Sequence, residues 1–168
     1  MERKPMTDSD SDCQNILSGV KPEPRRWNLF LDVDGVLLGK CDTHSAEVVR
    51  AKHVREFLEF ALTNFECYWL TTHCQGIASA VVDLIRPYGA DDVLGMLSKI
   101  RPTRFVTLKT EALFGDFFWL DDAPIAAEKA WLTEHGLLDR WIEVNTRERP
   151  DDLLRAMAIL RERISSPL

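Results

Sequence analysis

The 168-residue chain lacks several features that would by themselves place a protein in a class. No apolar run reaches the roughly 18 residues of a membrane-spanning helix, and the opening segment has no apolar core typical of a signal peptide. The four cysteines are irregularly spaced and form no CxxC pair, which is typical of free thiols in a reducing compartment. The net charge of -6 argues against binding nucleic acid by bulk electrostatics. Together these absences predict a cytoplasmic protein without a membrane span.

Two regions of different composition are visible along the chain. Residues 1–26 are rich in Asp, Ser and Pro and poor in large apolar residues, so we expect a mostly disordered leader there, with a role as a tether or docking tail as an alternative. Residues 27–168 have the length of one folded domain, and in the whole chain 45% of residues are hydrophobic and 29% charged. The sequence therefore predicts a single domain that follows a disordered leader.

Within that domain, short apolar runs alternate with helical patterns. The runs NLFLDV, CYWLT, FFWLD and WIEV predict buried strands, and a further short strand is expected near residues 104–108. Apolar residues at helical spacing predict four helices: one along the stripe from Val54 to Phe65, one that stops at Gly89, one from Pro124 to Gly136 and one from about Pro150. This alternation predicts an α/β fold with a mostly parallel sheet covered by helices on both faces.

Polar side chains follow three of the predicted strands. Asp32, Thr71 and Asp121 come at the carboxyl ends of their strands, where such sheets bind ligands, and Asp34 and Asp122 lie close by. Two carboxylates 4 Å apart repel by about 4 kcal/mol at an effective dielectric constant of about 20. A divalent cation with oxygen ligands relieves this repulsion, and Mg²⁺ is bound in this way together with phosphate oxygens. Either acidic segment alone could instead be a turn or a helix cap, but both occurring after apolar strands predicts a magnesium site.

Four ordered motifs carry a family resemblance. FLDVDGVL resembles the first motif of the haloacid dehalogenase (HAD) superfamily, YWLTTH its second, the lysine of TLKTEAL its third and FFWLDDAP its fourth, across roughly Trp27 to Asn145. The LDVDGVL and WLT segments are also similar to the HAD domain family associated with bacterial RNA-repair proteins. The resemblance implies a three-layer, Rossmann-like HAD fold with strand order 3-2-1-4-5, and it makes residues 27–168 a HAD-like catalytic domain.

The resemblance also implies catalytic roles for four residues. Asp32 would be the nucleophile that forms an aspartyl-phosphate, and Asp34 the general acid that then serves as the base. Thr71, favoured over its neighbour Thr72 because it directly follows the strand, would hydrogen-bond the phosphoryl oxygens. Lys109 would offset negative charge on the nucleophile and the phosphoryl group.

The same resemblance implies a Mg²⁺ ligand set. Asp122 would bind the ion directly, with Asp121 beside it as a supporting or water-mediated ligand. The carboxylate of Asp32 and the backbone carbonyl of Asp34 would complete the protein's share. A buried arginine among these carboxylates would take the place of the cation and contradict this expectation.

Little sequence is available for a cap domain, which many members of the superfamily carry. Only residues 37–45 separate the first strand from its helix, and the space between Thr71 and Lys109 suffices for a helix and a strand. The resemblance therefore implies a capless, open site suited to a macromolecular or exposed phosphate. A phosphorylated substrate, including the end of a nucleic acid, is the expected partner.

Other interpretations remain open at this point. Cys41, His44, His73 and Cys74 could approach one another above the sheet and bind zinc, although adjacent residues rarely ligate one ion, so polar residues near the substrate entrance are expected instead. The leading function is a Mg²⁺-dependent phosphatase. The alternatives are a non-catalytic binding module with the same fold and a phosphotransferase that uses an acceptor other than water.

Overall fold

The computed structural model describes residues 26–40, 42, 44 and 46–165. Residues 1–25 of the predicted leader lie outside this part of the chain. Arg26, the last residue of that leader, donates hydrogen bonds to the side chain of Glu66 and to the carbonyls of Leu62 and Thr63, at 2.8, 3.3 and 3.1 Å. Arg26 is thus attached to the folded domain.

The described chain contains six strands and five α-helices. In chain order they are β1 Trp27–Leu31, β2 Leu38–Lys40, β3 Val48–Arg50, α1 Val54–Asn64, β4 Phe65–Trp69, α2 Ala78–Ile85, α3 Leu94–Leu97, β5 Phe117–Asp121, α4 Ala126–Glu134, β6 Trp141–Glu143 and α5 Asp152–Ser165. None of the helices in the described residues is long and apolar enough to cross a membrane.

The predicted α/β architecture with a parallel central sheet is confirmed. Four strands pair in the order β4-β1-β5-β6, all parallel. Side chains on the two faces alternate, so that Leu29 and Leu31 pack with α1, α2 and α5, whereas Phe30 and Trp119 pack with Leu132 of α4. The sheet therefore lies between two helical layers, which is compatible with a Rossmann-like fold.

The strand expected at residues 104–108 does not form, so that prediction is wrong. Arg101 instead makes a single parallel bridge beside β4: its N–H donates to the carbonyl of Cys67 at 3.0 Å, and its carbonyl accepts from Trp69 at 2.8 Å. Pro102 follows and has no N–H with which to extend the ladder. The described sheet therefore has four strands, with this bridge next to β4 and no fifth strand in the described residues.

An antiparallel hairpin of β2 and β3 follows β1, and sequence reasoning did not predict it. It occupies the segment between β1 and α1. Among the described residues this segment contains only the hairpin and its connections. The hairpin lies beside the carboxyl end of the sheet, because Gly35 and Leu38 are hydrogen-bonded at its base at 2.8 Å.

The helices agree with the periodic patterns, apart from their ends. Phe65, predicted as the last apolar position of α1, instead begins β4. A single 3₁₀ turn after α2 leads to Gly89, whose φ of 75° ends the helical segment. The third predicted helix starts two residues after Pro124, at Ala126, and the last starts at Asp152 as expected.

Candidate functional site

The carboxyl edge of the sheet brings three aspartates together. Asp32 directly follows β1, and Asp121 ends the neighbouring parallel strand β5, with Asp122 next in the chain. One carboxylate oxygen from each lies within 4.8 Å of the other two. Asp32 and Asp121 are buried and Asp122 is half-buried. Three oxygen donors at this separation fit a hard divalent cation such as Mg²⁺.

Lys109 lies between two of these carboxylates. Its Nζ atom is 2.5 Å from Oδ2 of Asp121 and 2.9 Å from Oδ2 of Asp32. The lysine belongs to a 3₁₀ turn, residues 109–112, that packs against α4. Burial alone would lower the pKa of Lys109, but the two carboxylates raise it above its ordinary value, so the side chain is a fixed cation.

The electrostatics of the aspartates follow from burial and crowding. Burial, together with the charge of Asp121, raises the pKa of Asp32 to about 6, although Lys109 and the N–H of Val33 favour its charged form. The pKa of Asp122 is also raised, first by burial and then by Asp121, with Arg147 and Lys109 opposing the shift. The single positive charge of Lys109 therefore does not neutralise the three carboxylates, and a bound cation would supply the missing positive charge.

The carboxylate of Asp34 is not part of the group formed by the three clustered aspartates. Its Oδ2 atom is 2.9 Å from Nε2 of His73, and its Oδ1 atom is 3.3 Å from Nη2 of Arg147. The side chain is 45% exposed. Three of the four expected carboxylates thus form the close cluster, and Asp34 is linked to it through Arg147. The atom of Asp34 that the family resemblance implies as a metal ligand is its backbone carbonyl.

The two threonines after β4 differ in their environment. A hydrogen bond of 2.8 Å from the N–H of Leu70 to the carbonyl of Leu31 continues the pairing beyond the strands, which places Thr71 at the same sheet edge as Asp32. Thr71 is buried, and its hydroxyl accepts a long hydrogen bond of 3.4 Å from the N–H of His73. Thr72 is exposed.

Arg147 is a site residue that sequence reasoning missed. Its guanidinium lies 3.3 Å from Asp34 and 3.5 Å from Asp122, and its side chain is 37% exposed. A buried arginine among the carboxylates would contradict the expectation of a metal site. Arg147 is partly exposed and contacts only Asp122 of the three clustered aspartates. A usable signal was its position four residues after β6, at the same edge of the sheet as the other strand ends.

Glu128 is a second residue that sequence reasoning missed. Its buried carboxylate accepts hydrogen bonds from the backbone N–H groups of Lys109 at 2.7 Å and Ile125 at 3.0 Å. It thereby joins α4 to the turn that carries the lysine. Acidic residues are common in the first turn of a helix. The position of Glu128 in the sequence therefore did not indicate its contact with the backbone of Lys109.

The proposed cysteine and histidine set does not assemble among the described residues. Cys41 lies outside them, His44 is exposed, and Cys74 is buried. Within the described ranges the Asp32, Asp121 and Asp122 cluster is the one group of three or more candidate metal ligands. His73 contacts Asp34 instead.

No protein-family model matches the chain, and no curated protein matches it either. The chemical interpretation of the site therefore depends on its geometry. That geometry combines a carboxylate cluster, a half-buried lysine and a more exposed aspartate at the open edge of a parallel sheet.

Proposed function

We propose that the protein is a Mg²⁺-dependent phosphomonoester hydrolase of the HAD type, with Asp32 as the nucleophile. The observation that carries this proposal is the position of Lys109 Nζ, 2.9 Å from Asp32 and 2.5 Å from Asp121, in a cluster whose three carboxylates approach within 4.8 Å. An anionic nucleophile that attacks an anionic phosphate needs positive charge on both sides. Lys109 supplies it on one side.

The residues suited to hold the metal are Asp32, Asp121, Asp122 and the backbone carbonyl of Asp34. When bound there, Mg²⁺ would neutralise charge on the phosphoryl oxygens and favour the ionised form of the nucleophile. The raised pKa values of Asp32 and Asp122 support this, because both carboxylates are destabilised as anions where they lie.

Asp32 is oriented for attack by two contacts. The N–H of Val33 donates to its Oδ1 atom at 2.8 Å, and Lys109 contacts its Oδ2 atom at 2.9 Å. In the first step a carboxylate oxygen bonds to phosphorus as the bond from phosphorus to the leaving oxygen breaks. Asp34 gives that oxygen a proton. In the second step Asp34 accepts a proton from water as the water oxygen attacks the phosphorus of the aspartyl-phosphate, which releases phosphate and restores Asp32.

The exposure of Asp34 suits an acid and base that must exchange protons with solvent. One of its carboxylate oxygens lies 2.9 Å from Nε2 of His73, and the other makes a longer contact of 3.3 Å with Arg147. Because the described segment after β1 contains a hairpin and no folded cap, the site suits a phosphate that is exposed on its carrier. Thr71 is proposed to hydrogen-bond the phosphoryl oxygens after a small movement of the loop that buries its hydroxyl.

The test is hydrolysis of p-nitrophenyl phosphate in Mg²⁺, followed by a panel of nucleotides, sugar phosphates, phosphopeptides and phosphate-ended oligonucleotides. Asp32→Asn is expected to abolish turnover and the acid-stable, hydroxylamine-sensitive phosphoenzyme. Asp83→Asn changes an exposed aspartate of α2 and is the matched control. Unchanged activity in Asp32→Asn would contradict the mechanism.

Two further outcomes distinguish the alternatives. Tight Mg²⁺ binding without turnover on any member of the panel would favour a non-catalytic binding module. Transfer of phosphate to added glycerol in preference to water would favour a phosphotransferase.

A further inference from the structure

A surface cavity lies directly beside the proposed reaction site. It is lined by Lys40, Asp122, Asn145, Arg147 and Glu148. Asp122 belongs to the carboxylate cluster, so the cavity opens onto the site itself. The proposed hydrolysis of a simple phosphate ester assigns no role to the two cations of this cavity.

Arg147, which lines the cavity, contacts Asp34 at 3.3 Å. Lys109 contacts Asp32 and Asp121, whereas Arg147 contacts Asp34 and Asp122, so the two cations flank the cluster from different sides. Asp34 is the proposed proton donor to the leaving oxygen. A group bonded to that oxygen would therefore lie next to Arg147.

The turn that carries Arg147 is fixed in place by several contacts. The N–H and the hydroxyl of Thr146 both donate to the carbonyl of Gly35, at 2.7 and 3.0 Å. The N–H of Asn145 donates to Asp152 at 2.8 Å, and its side-chain oxygen accepts from the N–H of Arg147 at 3.2 Å. A positioned arginine loses less conformational entropy on binding an anion than a freely moving one.

The same contacts bring Lys40 to the cavity wall. Its N–H donates to the carbonyl of Thr146 at 3.4 Å, so the end of β2 and the turn of Arg147 are joined. The contacts of Arg147 with Asp34 and Asp122 are longer than the roughly 2.8 Å of a strong charge-assisted pair, at 3.3 and 3.5 Å. The guanidinium is thus only weakly held by these carboxylates and can exchange them for a ligand.

We propose that this cavity is a leaving-group subsite for a second phosphate, and that Arg147 and Lys40 bind it. The substrate class is a phosphomonoester whose leaving group carries another phosphate close to the scissile one. This inference rests on the proposed function, because it takes the leaving-group side from the role of Asp34. Arginine is suited to such a ligand, because its planar donors match two phosphate oxygens at once.

Binding of non-hydrolysable phosphonates tests the subsite without turnover. Propylphosphonate and propane-1,3-diylbisphosphonate differ only in the second anionic group, and their dissociation constants are measured by calorimetry in saturating Mg²⁺. The wild-type protein is expected to bind the bisphosphonate about tenfold or more tightly. Arg147→Ala and Lys40→Ala are expected to reduce this ratio towards about two, the statistical value for a ligand with two equivalent phosphonate groups, and Arg147→Lys to retain part of it.

The control is Arg86→Ala. Arg86 is an exposed residue directly after α2 that forms an ion pair with Asp83 of that helix. Its binding ratio should equal that of the wild-type protein. A ratio of about two or less for the wild-type protein, or a ratio that neither cavity variant changes, would overturn the subsite. Thermal unfolding of each variant verifies folding, and Lys40→Ala tests the proposal if Arg147→Ala does not fold.

Two comparisons separate this inference from the proposed function and identify the source of the phosphate. Selective binding of the bisphosphonate without any turnover would retain the subsite and reject the hydrolase. Hydrolysis of p-nitrophenyl phosphate together with equal affinities for the two phosphonates would support the hydrolase and reject the subsite. Tighter binding of 5′-phosphorylated dithymidine than of thymidine 5′-phosphate would support the subsite with a nucleic-acid end as its source, and equal binding would assign the second phosphate to a small bisphosphate.

Discussion

Gly35 and Asp122 are so close that a side chain on the glycine would overlap the carboxylate. An ideal Cβ atom built on Gly35 would collide with Oδ2, Cγ and Cβ of Asp122. The glycine also has a φ of 73°, in the left-handed region that other residues rarely adopt. The glycine of the DVDG segment is therefore required both by the turn after β1 and by the position of the proposed metal ligand.

Gly35→Ala is expected to weaken Mg²⁺ binding as well as stability. The left-handed backbone alone costs about 1–2 kcal/mol for a residue with a Cβ atom, and the collision must also displace Asp122. Urea unfolding and Mg²⁺ titration measure the two effects. Gly89→Ala is the matched control, because Gly89 has a φ of 75° and open space around its Cβ position. Equal losses of Mg²⁺ affinity in both variants would contradict the role of the contact with Asp122.

Asp122 and Asp34 are expected to differ in their effect on metal binding. Mg²⁺ at 100 times its dissociation constant should raise the free energy of unfolding by about 2.7 kcal/mol. Asp122→Asn should remove most of this stabilisation, because its carboxylate belongs to the cluster. Asp34→Asn should retain the stabilisation and lose turnover, because its side chain contacts His73 and Arg147 instead. Loss of Mg²⁺ stabilisation in Asp34→Asn would place its carboxylate among the ligands.

The parts of the fold that the sequence predicts well are those with strong local patterns. FFWLD forms β5 over the predicted residues, and the apolar stripe from Val54 forms α1. The hairpin of β2 and β3 has strands of three residues each, too short for a clear alternation of apolar and polar positions. Residues 104–108 have the composition of a strand, but the N–H groups of residues 106, 107 and 108 donate to the carboxylate of Glu111 instead of to a neighbouring strand.

The candidate site was predictable where its residues end strands. Asp32 and Asp121 meet because their strands are parallel neighbours, which follows from the order of strands and helices. Arg147 contacts Asp34, from which it is separated by 113 positions in the sequence. Glu128 accepts a hydrogen bond from the backbone of Lys109, 19 positions away. Such pairings depend on how turns and helices pack, and no local pattern encodes them.

Glu128→Gln is expected to disturb Lys109 without touching the substrate. The glutamine offers one acceptor oxygen where the carboxylate satisfies two N–H groups, those of Lys109 and Ile125. An unsatisfied buried N–H costs about 1–3 kcal/mol, and a shift of the lysine by about 1 Å would lower kcat about 100-fold. Unfolding and kinetics measure both effects. Glu134→Gln, an exposed change on the same helix, should leave both unchanged; full activity in Glu128→Gln would show that the lysine is positioned by other contacts.

Asp152 is expected to make stability depend on pH through the turn that carries Arg147. Burial alone would raise the pKa of Asp152, but hydrogen bonds from Arg155, the N–H of Asn145 and Arg149 lower it below its ordinary value of 3.8. Between these two pKa values the unfolded chain binds more protons than the folded one, so the contribution of Asp152 is fully present above the ordinary value and is lost as the pH falls through the lowered one.

The variant that tests this is Asp152→Asn. At pH 7 it should reduce the free energy of unfolding by about 2 kcal/mol, because hydrogen bonds to a buried charged group are lost. The difference from the wild-type protein should shrink as the pH falls below about 4, measured by urea unfolding at a series of pH values. Asp151→Asn is the control: its exposed side chain contacts His53 at 3.1 Å, and such a surface pair contributes about 0.5 kcal/mol or less. A difference between Asp152→Asn and the wild-type protein that stays constant from pH 7 to pH 3 would show that packing, and not the charge of Asp152, holds the turn in place.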